Sequence, residues 1–198
     1  QECLAVISTE TERLSRMIER MLMVARMEAG RREYAIVPVR PDELAHRALT
    51  AFRGHVLHGQ VDIEVDVAST LPTVQADAEA IGEALLNLLS NARKHGGPGV
   101  KIALRARFED HGVTFAVEDN GPGIPLLDQR RVFEKFYRAD SLLSRRTEGS
   151  GLGLTIVAGI ATAHRGRVWL DSVEGAGSRF SLWLPCRPKR GKSVSAAK

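Results

Sequence analysis

The sequence predicts an α+β fold, a two-layer sandwich in which a mixed sheet carries helices on one face, preceded by a long N-terminal helix. Three observations carry this prediction. Strand-period and helix-period segments are mixed over residues 34–185 without the regular strand–helix–strand repetition of a parallel sheet. The apolar residues of the first 28 positions follow a heptad instead. The composition, 43% hydrophobic and 26% charged over 198 residues, is that of one globular domain with an appendage.

In the N-terminal segment Leu4, Ile7, Leu14, Ile18, Met21 and Ala25 fall on a and d positions, with Thr11 and Glu28 as departures. At about 1.5 Å per residue the helix is roughly 40 Å long and needs partners. It either lies on the globular body or forms half of a helical hairpin. Gly30 ends it, and a boundary falls near residues 30–34. YAIVPV (34–39) then reads as a short strand, Pro41 and Asp42 open a helix to about Leu57, and VDIEVDV (61–67) alternates as a strand. A helix runs from about Asp77 to His95, followed by the alternating strands KIALRARF and VTFAVED. A long polar segment spans Asn120 to Ser150, and LGLTIVAGIATAH forms another helix. RVWLDSV and SRFSLWLP close the domain as a hairpin around EGAG.

Charge and cysteine usage exclude several classes. The 28 Lys and Arg against 24 Asp and Glu give +4. Five of the basic residues (Arg187, Lys189, Arg190, Lys192, Lys198) lie in an acid-free tail, so the body alone carries −1. The pI near 9.4 thus reflects a tail that reads as a disordered end. With aromatics at only 5%, no nucleic-acid partner is expected. No run approaches the ~18–20 apolar residues of a membrane span, and the N-terminus lacks a signal peptide's basic-then-apolar pattern. Cys3 and Cys186 stand far apart with no CxxC spacing, so neither a disulfide scaffold nor a cysteine zinc site is expected, and a reducing compartment fits.

Three segments carry chemistry. In ALLNLLSNARKHG, Leu85, Leu86, Leu88 and Leu89 can face the sheet while Asn87 and Asn91, four apart, share another face. Amide oxygens are hard neutral ligands suited to Mg²⁺ and its water shell, and Lys94 can reach a phosphate; the pair equally fits a solvated face. The strand VTFAVED runs into Asp119-Asn120-Gly121-Pro122-Gly123-Ile124-Pro125. Glycines 121 and 123 let a flat ligand approach the chain, and the Asp119 carboxylate can accept a hydrogen bond from an exocyclic amine; the same residues also suit a simple turn. Gly149, Ser150, Gly151, Leu152 and Gly153 open the next helix, where free N–H groups and the dipole face an anion. This is neither a P-loop nor a dinucleotide fingerprint. The 24 residues from Pro125 to Glu148 have the length of a functional lid or a disordered segment.

The order NLLSNARKHG, DNGPGIP, VFEKFYR, GSGLGL, GAGSRF is more specific than any one of these pieces. With that order the sequence resembles the ATP-binding catalytic domain of bacterial sensor histidine kinases, in the superfamily shared with gyrase, the MutL repair protein and the heat-shock chaperone of similar fold. The resemblance covers about residues 34–185, and LSRMIERMLMVARMEAG resembles the second helix of the family's dimerisation and phosphoacceptor hairpin. It implies a Bergerat-type ATP-binding fold with three parts: a partial hairpin helix over 1–32, the catalytic domain over 33–186 and the basic tail over 187–198. It further implies that Asn87 and Asn91 hold Mg²⁺ directly or through water, that Lys94 contacts a phosphate, and that His95 lies against the nucleotide where relatives often have Tyr. Asp119 would read the adenine amino group beside Gly121, Gly123 and Ile124. Phe133, Phe136 and Tyr137 would anchor a mobile lid whose Arg138 reaches the phosphates. Gly149, Ser150, Gly151, Leu152 and Gly153 would line the triphosphate, and Gly177 with Ser178 would close the pocket, where Thr is the commoner choice. Asn87, Lys94 and Arg138 would be the catalytic set. The implied cofactors are ATP and Mg²⁺. The implied partners are the hairpin's phosphoacceptor histidine, a response-regulator receiver domain and a second copy paired through the N-terminal helix, in the cytoplasmic portion of a parent anchored in the inner membrane.

One departure stands out. The family's phosphoacceptor box, a His followed by an acid and then Arg/Lys-Thr-Pro, surrounds none of His46, His55, His58, His95, His111 and His164. The box is expected upstream of Gln1, which makes the chain a fragment that binds ATP without autophosphorylating alone. Two other functions compete: a gyrase-type ATPase, which needs a Glu where Asn87 stands while Glu83 lies a turn too early, and a non-catalytic nucleotide-sensing module acting through its helix.

Overall fold

The computed structural model describes residues 2–55, 61–137 and 150–186. Helix α1 (Glu2–Glu28) ends where the sequence places its stop. Gly30 takes φ +63°, its N–H donates to the Met27 carbonyl at 3.1 Å and that of Arg31 to the Arg26 carbonyl at 2.9 Å, a Schellman closure that a side chain at Gly30 would strain. Of the two readings of this helix, lying on the body fails for most of its length. The seam residues Ile7, Leu14 and Ile18 are 62%, 58% and 56% exposed, and only the last turns dock, with Val24 buried and Met23 and Met27 packed on the core.

The rest of the described chain is β1 (Val37–Val39), α2 (Pro41–His55), β2 (Asp62–Asp66), β3 (Val74–Ala76), α3 (Ala78–His95), β4 (Lys101–Glu109), β5 (Gly112–Asp119), the single turn α4 (Leu126–Gln129), α5 (Gly153–Ala163), β6 (Arg167–Val173) and β7 (Gly177–Pro185). The main sheet runs β2-β4-β5-β7-β6, parallel between β2 and β4 and antiparallel elsewhere. Helices α3 and α5 cover one face with α2 packed beside α3, giving the expected two layers. Leu85, Leu88, Leu89, Ile156 and Ile160 from the helices meet Ile102, Leu104, Phe115 and Leu182 from the strands, all buried. The other face carries charge: Arg105 forks onto Glu64 at 3.0 and 3.1 Å and reaches Glu118 at 3.3 Å, while Arg107 pairs with Asp66. These contacts lash the short parallel edge strand to its neighbours.

Two elements escaped the sequence. Strand β3 pairs with β1 in a separate two-stranded sheet, Val37 opposite Ala76, and three residues are too few to display a period. Helix α4 is one turn inside the polar segment. The strand expected over 34–39 shortens to its last three residues because the preceding groups are engaged elsewhere. The Ala35 N–H donates to Asp77 Oδ2 at 2.9 Å, and the Tyr34 ring sits edge-on to His164 at 5.1 Å.

His164 is the buried polar tie of this layer. Its Nδ1 bonds the Ile160 carbonyl at 2.7 Å, and its Nε2 accepts the Asp77 N–H at 3.0 Å, joining the end of α5 to the start of α3. Accepting at Nε2 requires the neutral ring, and burial holds the imidazole below its ordinary 6.5. The unfolded chain therefore binds the proton first as pH falls, so the stabilisation is complete above about 6.5 and is lost below it. Melting temperature should decline between pH 7.5 and 5.5. His164→Gln should be less stable by about 1–3 kcal/mol at pH 7.5 and should flatten that decline.

Candidate functional site

Helix α3 builds the first wall. Asp77 caps it, Oδ1 accepting from the Glu79 and Ala80 N–H groups at 3.0 and 3.1 Å. Burial works against the Asp77 carboxylate, but these bonds and the one from Ala35 outweigh it and keep its pKa below the usual carboxylate value. Ile81, Leu85, Leu88, Leu89 and Ala92 form the buried stripe, which leaves Asn87 and Asn91 half-buried on the flank and Lys94 and His95 exposed in the last turn. Leu86, expected on the sheet face, is only half-buried: about 100° of rotation per residue carries it off the stripe. Asn87 Nδ2 donates to the Glu83 carbonyl at 3.0 Å. Its Oδ1 faces Gly153, where a Cβ would lie 3.3 Å away.

The second wall begins where β5 ends. Asp119 Oδ1 accepts the Gly121 N–H at 2.9 Å, and the carboxylate also takes a backbone bond from Ser178. Burial dominates and raises its pKa in spite of both bonds. Backbones touch here. A Cβ on Gly177, at φ +104°, would stand 2.0 Å from the Asp119 carbonyl, and one on Gly121 would stand 2.7 Å from Gly96 Cα. Behind them Ser172 Oγ accepts the Ile124 N–H at 2.9 Å, lies 2.8 Å from the Gly177 carbonyl oxygen and 3.1 Å from Ser178 Oγ. Gln129 Nε2 ties the Ile124 and Ser172 carbonyls at 2.8 and 2.9 Å. Sequence reasoning missed Ser172 and Gln129: neither sits in a glycine box, and only the strand register brings Ser172 opposite Ser178.

The third wall is the start of α5. Leu152 caps it without a side-chain bond, and the Ser150 hydroxyl is buried with no hydrogen-bond partner among the described residues. Gly151, at φ +68°, lets Phe136 approach: a Cβ there would come within 2.8 Å of the Phe136 backbone, whose N–H donates to the Gly151 carbonyl at 3.1 Å. Phe136 itself is 53% exposed at φ +60°, so it does not anchor the segment as expected. The anchors are Phe133, edge-on to Phe180 at 6.4 Å and bonded through its carbonyl to Thr155, and Tyr137, whose hydroxyl donates to Asp128 at 2.6 Å. Arg138 and Gly149, expected at the phosphates, lie outside the described residues, as does most of the expected lid.

Helix flank and glycine loop thus meet where Asn87 Oδ1 lies beside Gly153, and the strand end joins the same helix where Gly121 lies against Gly96, with the half-buried Asp119 carboxylate next to that contact. Such a site suits a ligand with an amine at one end and an anion at the other. Among the described residues no group of three or more His, Cys, Asp or Glu could hold a metal ion.

Residues 76–188 match the model of the histidine kinase-, DNA gyrase B- and HSP90-like ATPase family. The chain belongs to that family. Within it, the chain is 36% identical over 179 residues to the probable sensor histidine kinase TcrY of Mycobacterium tuberculosis, covering 90% of this chain and 37% of TcrY. The chain spans less than half the length of the curated kinases it matches. Among solved structures, the mycobacterial sensor histidine kinase MprB is 32% identical with a TM-score of 0.64, over 77% of this chain and 99% of that one. Full-length ShkA, solved in complex with AMPPNP, is 28% identical with a TM-score of 0.80, over 92% of this chain and 38% of ShkA. The family's two-layer sandwich is the fold described above.

The backbone contacts in this ATPase-family site predict a contrast between two glycines. Gly177→Ala forces a Cβ onto the Asp119 carbonyl and should cost more than about 2 kcal/mol. Gly175→Ala, at φ +83° with open space around it, should cost only the backbone strain of about 1 kcal/mol. Urea denaturation of the two variants measures the difference.

Proposed function

We propose that this chain is the ATP-binding catalytic part of a sensor histidine kinase, moving the γ-phosphoryl of Mg·ATP to a histidine on the kinase's own dimerisation hairpin and thence to a response-regulator receiver domain. The observation that carries this reading is that helix α3 brings Asn87 against Gly153 of the glycine loop and its C-terminal Gly96 against Gly121 beside Asp119, in a chain of this family. The Asp119 carboxylate accepts the adenine amino group, with Gly121, Gly123 and Ile124 along the base and Ser178 behind it. The N–H groups at the start of α5 and the Ser150 hydroxyl, which has no partner among the described residues, receive the phosphates; Leu152, Lys94, His95 and Tyr137 are assigned to the same group, as are Gly149 and Arg138, which lie outside the described residues. The Asn87 and Asn91 amide oxygens hold Mg²⁺, which neutralises phosphate charge. The buried Ser150 hydroxyl, with no hydrogen-bond partner among the described residues, and the close approach of Asn87 Oδ1 to Gly153 support that reading.

Phosphotransfer is favoured over hydrolysis by a specific contact. A gyrase-type mechanism needs a carboxylate to activate water, but position 87 is an amide, and Glu83, one turn earlier, is bound to Arg32 at 3.0 Å. We read residues 1–32 as part of the hairpin, 33–186 as the catalytic domain and 187–198 as a tail. Pairing of two copies through α1 accounts for its exposed seam. Among the described residues no helix is long and apolar enough to cross a membrane, and an inner-membrane anchor belongs to the rest of the proposed parent.

Replacing Asp119 by Asn should weaken ATP binding by roughly 10- to 100-fold, as expected for a lost charged acceptor of about 1.5–3 kcal/mol. The empty fold should not lose stability. Because burial raises the native pKa, the ionised carboxylate lowers stability as pH climbs past the ordinary value of 3.8, and the neutral amide removes that cost. Calorimetry with ATP and GTP decides the base assignment, since equal affinities would contradict an acceptor at Asp119. For phosphotransfer, radiolabelled ATP should mark a separately prepared acceptor hairpin in the presence of this chain. Acid-labile label on the chain alone would mean that one of its own histidines is the acceptor.

A further inference from the structure

Arg32, in the segment joining α1 to the catalytic body, belongs to none of the nucleotide boxes, yet it reaches the helix that carries Asn87. Its Nη2 lies 3.0 Å from Glu83 Oε2, its guanidinium stands over the Tyr34 ring at 5.1 Å, and its Nη1 is 3.9 Å from Met27 Sδ. The pair is largely enclosed, with side chains 21% and 26% exposed. Glu83 serves two contacts at once: its carboxylate holds Arg32, and its main-chain carbonyl accepts Asn87 Nδ2 at 3.0 Å, the bond that leaves Asn87 Oδ1 facing Gly153.

Positions 83 and 87 are one helical turn apart on one face, so a Glu83 carboxylate released from Arg32 comes within reach of the Asn87 amide. A charged acceptor competes well against a neutral carbonyl for the same N–H. Capture of Nδ2 by that carboxylate rotates the amide and withdraws Oδ1 from the cleft. We infer that Arg32 is a positioning residue that sequesters the Glu83 carboxylate and so keeps Asn87 oriented for the metal–phosphate group; this rests on the reading that Asn87 holds Mg²⁺. A second contact from the same region runs to the opposite wall, where Glu28 at the end of α1 pairs with Lys135, the neighbour of Phe136. Both of its partners are more than four-tenths exposed, so salt screens it, and the enclosed Arg32 contact carries the effect.

Sequestration has a signature that a simple tether lacks. Arg32→Ala should weaken Mg²⁺-dependent ATP binding roughly tenfold, a charged contact's typical effect. Glu83→Gln should stay near wild type, and the double variant Arg32→Ala/Glu83→Gln should recover wild-type affinity. ADP binding without Mg²⁺ should hold steady throughout. In the metal-free and nucleotide-free chain, the Asn87 side-chain amide resonances in a ¹⁵N spectrum should move in Arg32→Ala and return in the double variant. If wild-type ATP affinity ignores both Mg²⁺ and Asn87→Ala, the metal reading fails and takes this inference with it. If wild type responds to both but Arg32→Ala binds Mg·ATP normally, or Glu83→Gln alone is as weak as Arg32→Ala, only the inference fails. Loss of Mg²⁺-free ADP binding in parallel with Mg·ATP would mark a general structural role and overturn it as well.

Discussion

Everything at the site depends on how α3 seats on the sheet. Ile81, Leu85, Leu88, Leu89 and Ala92 are each no more than 2% exposed, and burying a Leu or Ile contributes about 1.5–3 kcal/mol. Rolling the helix by one residue would lift several of them into water and turn Asn87 and Asn91 away from the cleft. Helix azimuth is therefore fixed by apolar burial. The ends are pinned separately. Asp77 and His164 hold the N-terminus, and at the other end Gly96 lies so close to Gly121 and Val100 that a side chain there would meet Val100 Cγ2 at 2.1 Å.

Around that spine the walls meet through backbone as much as through side chains. Gly121 against Gly96, Gly177 against Asp119 and Gly151 against Phe136 are contacts that a Cβ would prevent. Close backbone approach does two things at once: it lets the walls bond to one another, Gly121 N–H to Asp119 and Phe136 N–H to the Gly151 carbonyl, and it keeps water from the Asp119 carboxylate. The second effect is unfavourable in the empty protein, since a half-buried carboxylate with two N–H bonds still has a raised pKa. A partner that donates to that carboxylate repairs the deficit, so part of the binding preference is already present in the empty fold as an unsatisfied electrostatic demand.

Local features were legible in the sequence and long-range ones were not. The heptad, the Gly30 stop, the helix opened by Asp77 and every long strand follow from periodicity and capping within a few residues. The glycine boxes announced themselves because their order is distinctive. Leu86 was misplaced because four leucines in five positions blur a stripe that a 3.6-residue period resolves. Strand β3 is too short for any period, and Ser172 gains its role only from standing opposite Ser178 across a hairpin. Arg32 and Glu83 are 51 residues apart, and nothing in either neighbourhood signals the pair. Phe136 departs from what an aromatic residue suggests: its backbone is left-handed and its side chain exposed, and neither property is written in the neighbouring residues.

Helix α1 shows where the free-energy balance of this chain is unfinished. Its final turns are secured: Val24 is buried, and Met27 packs so tightly on α5 that a Cβ at Gly159 would lie 2.2 Å from its Cε. Even there a cleft of about 540 Å³ remains between α1, Tyr34 and the small residues Ala158, Gly159 and Ala163 of α5. Further toward the N-terminus Ile7, Leu14, Ile18 and Met21 stand in water along one stripe, and propensity alone holds a helix of 27 residues only weakly. A seam of that length is stabilised by another helix laid against it, which is the arrangement of a bundle. The docked last turns lead directly into Glu28 and Arg32. The exposed apolar seam and the Arg32–Glu83 contact are thus separated by only the docked turns of α1 and a segment of a few residues.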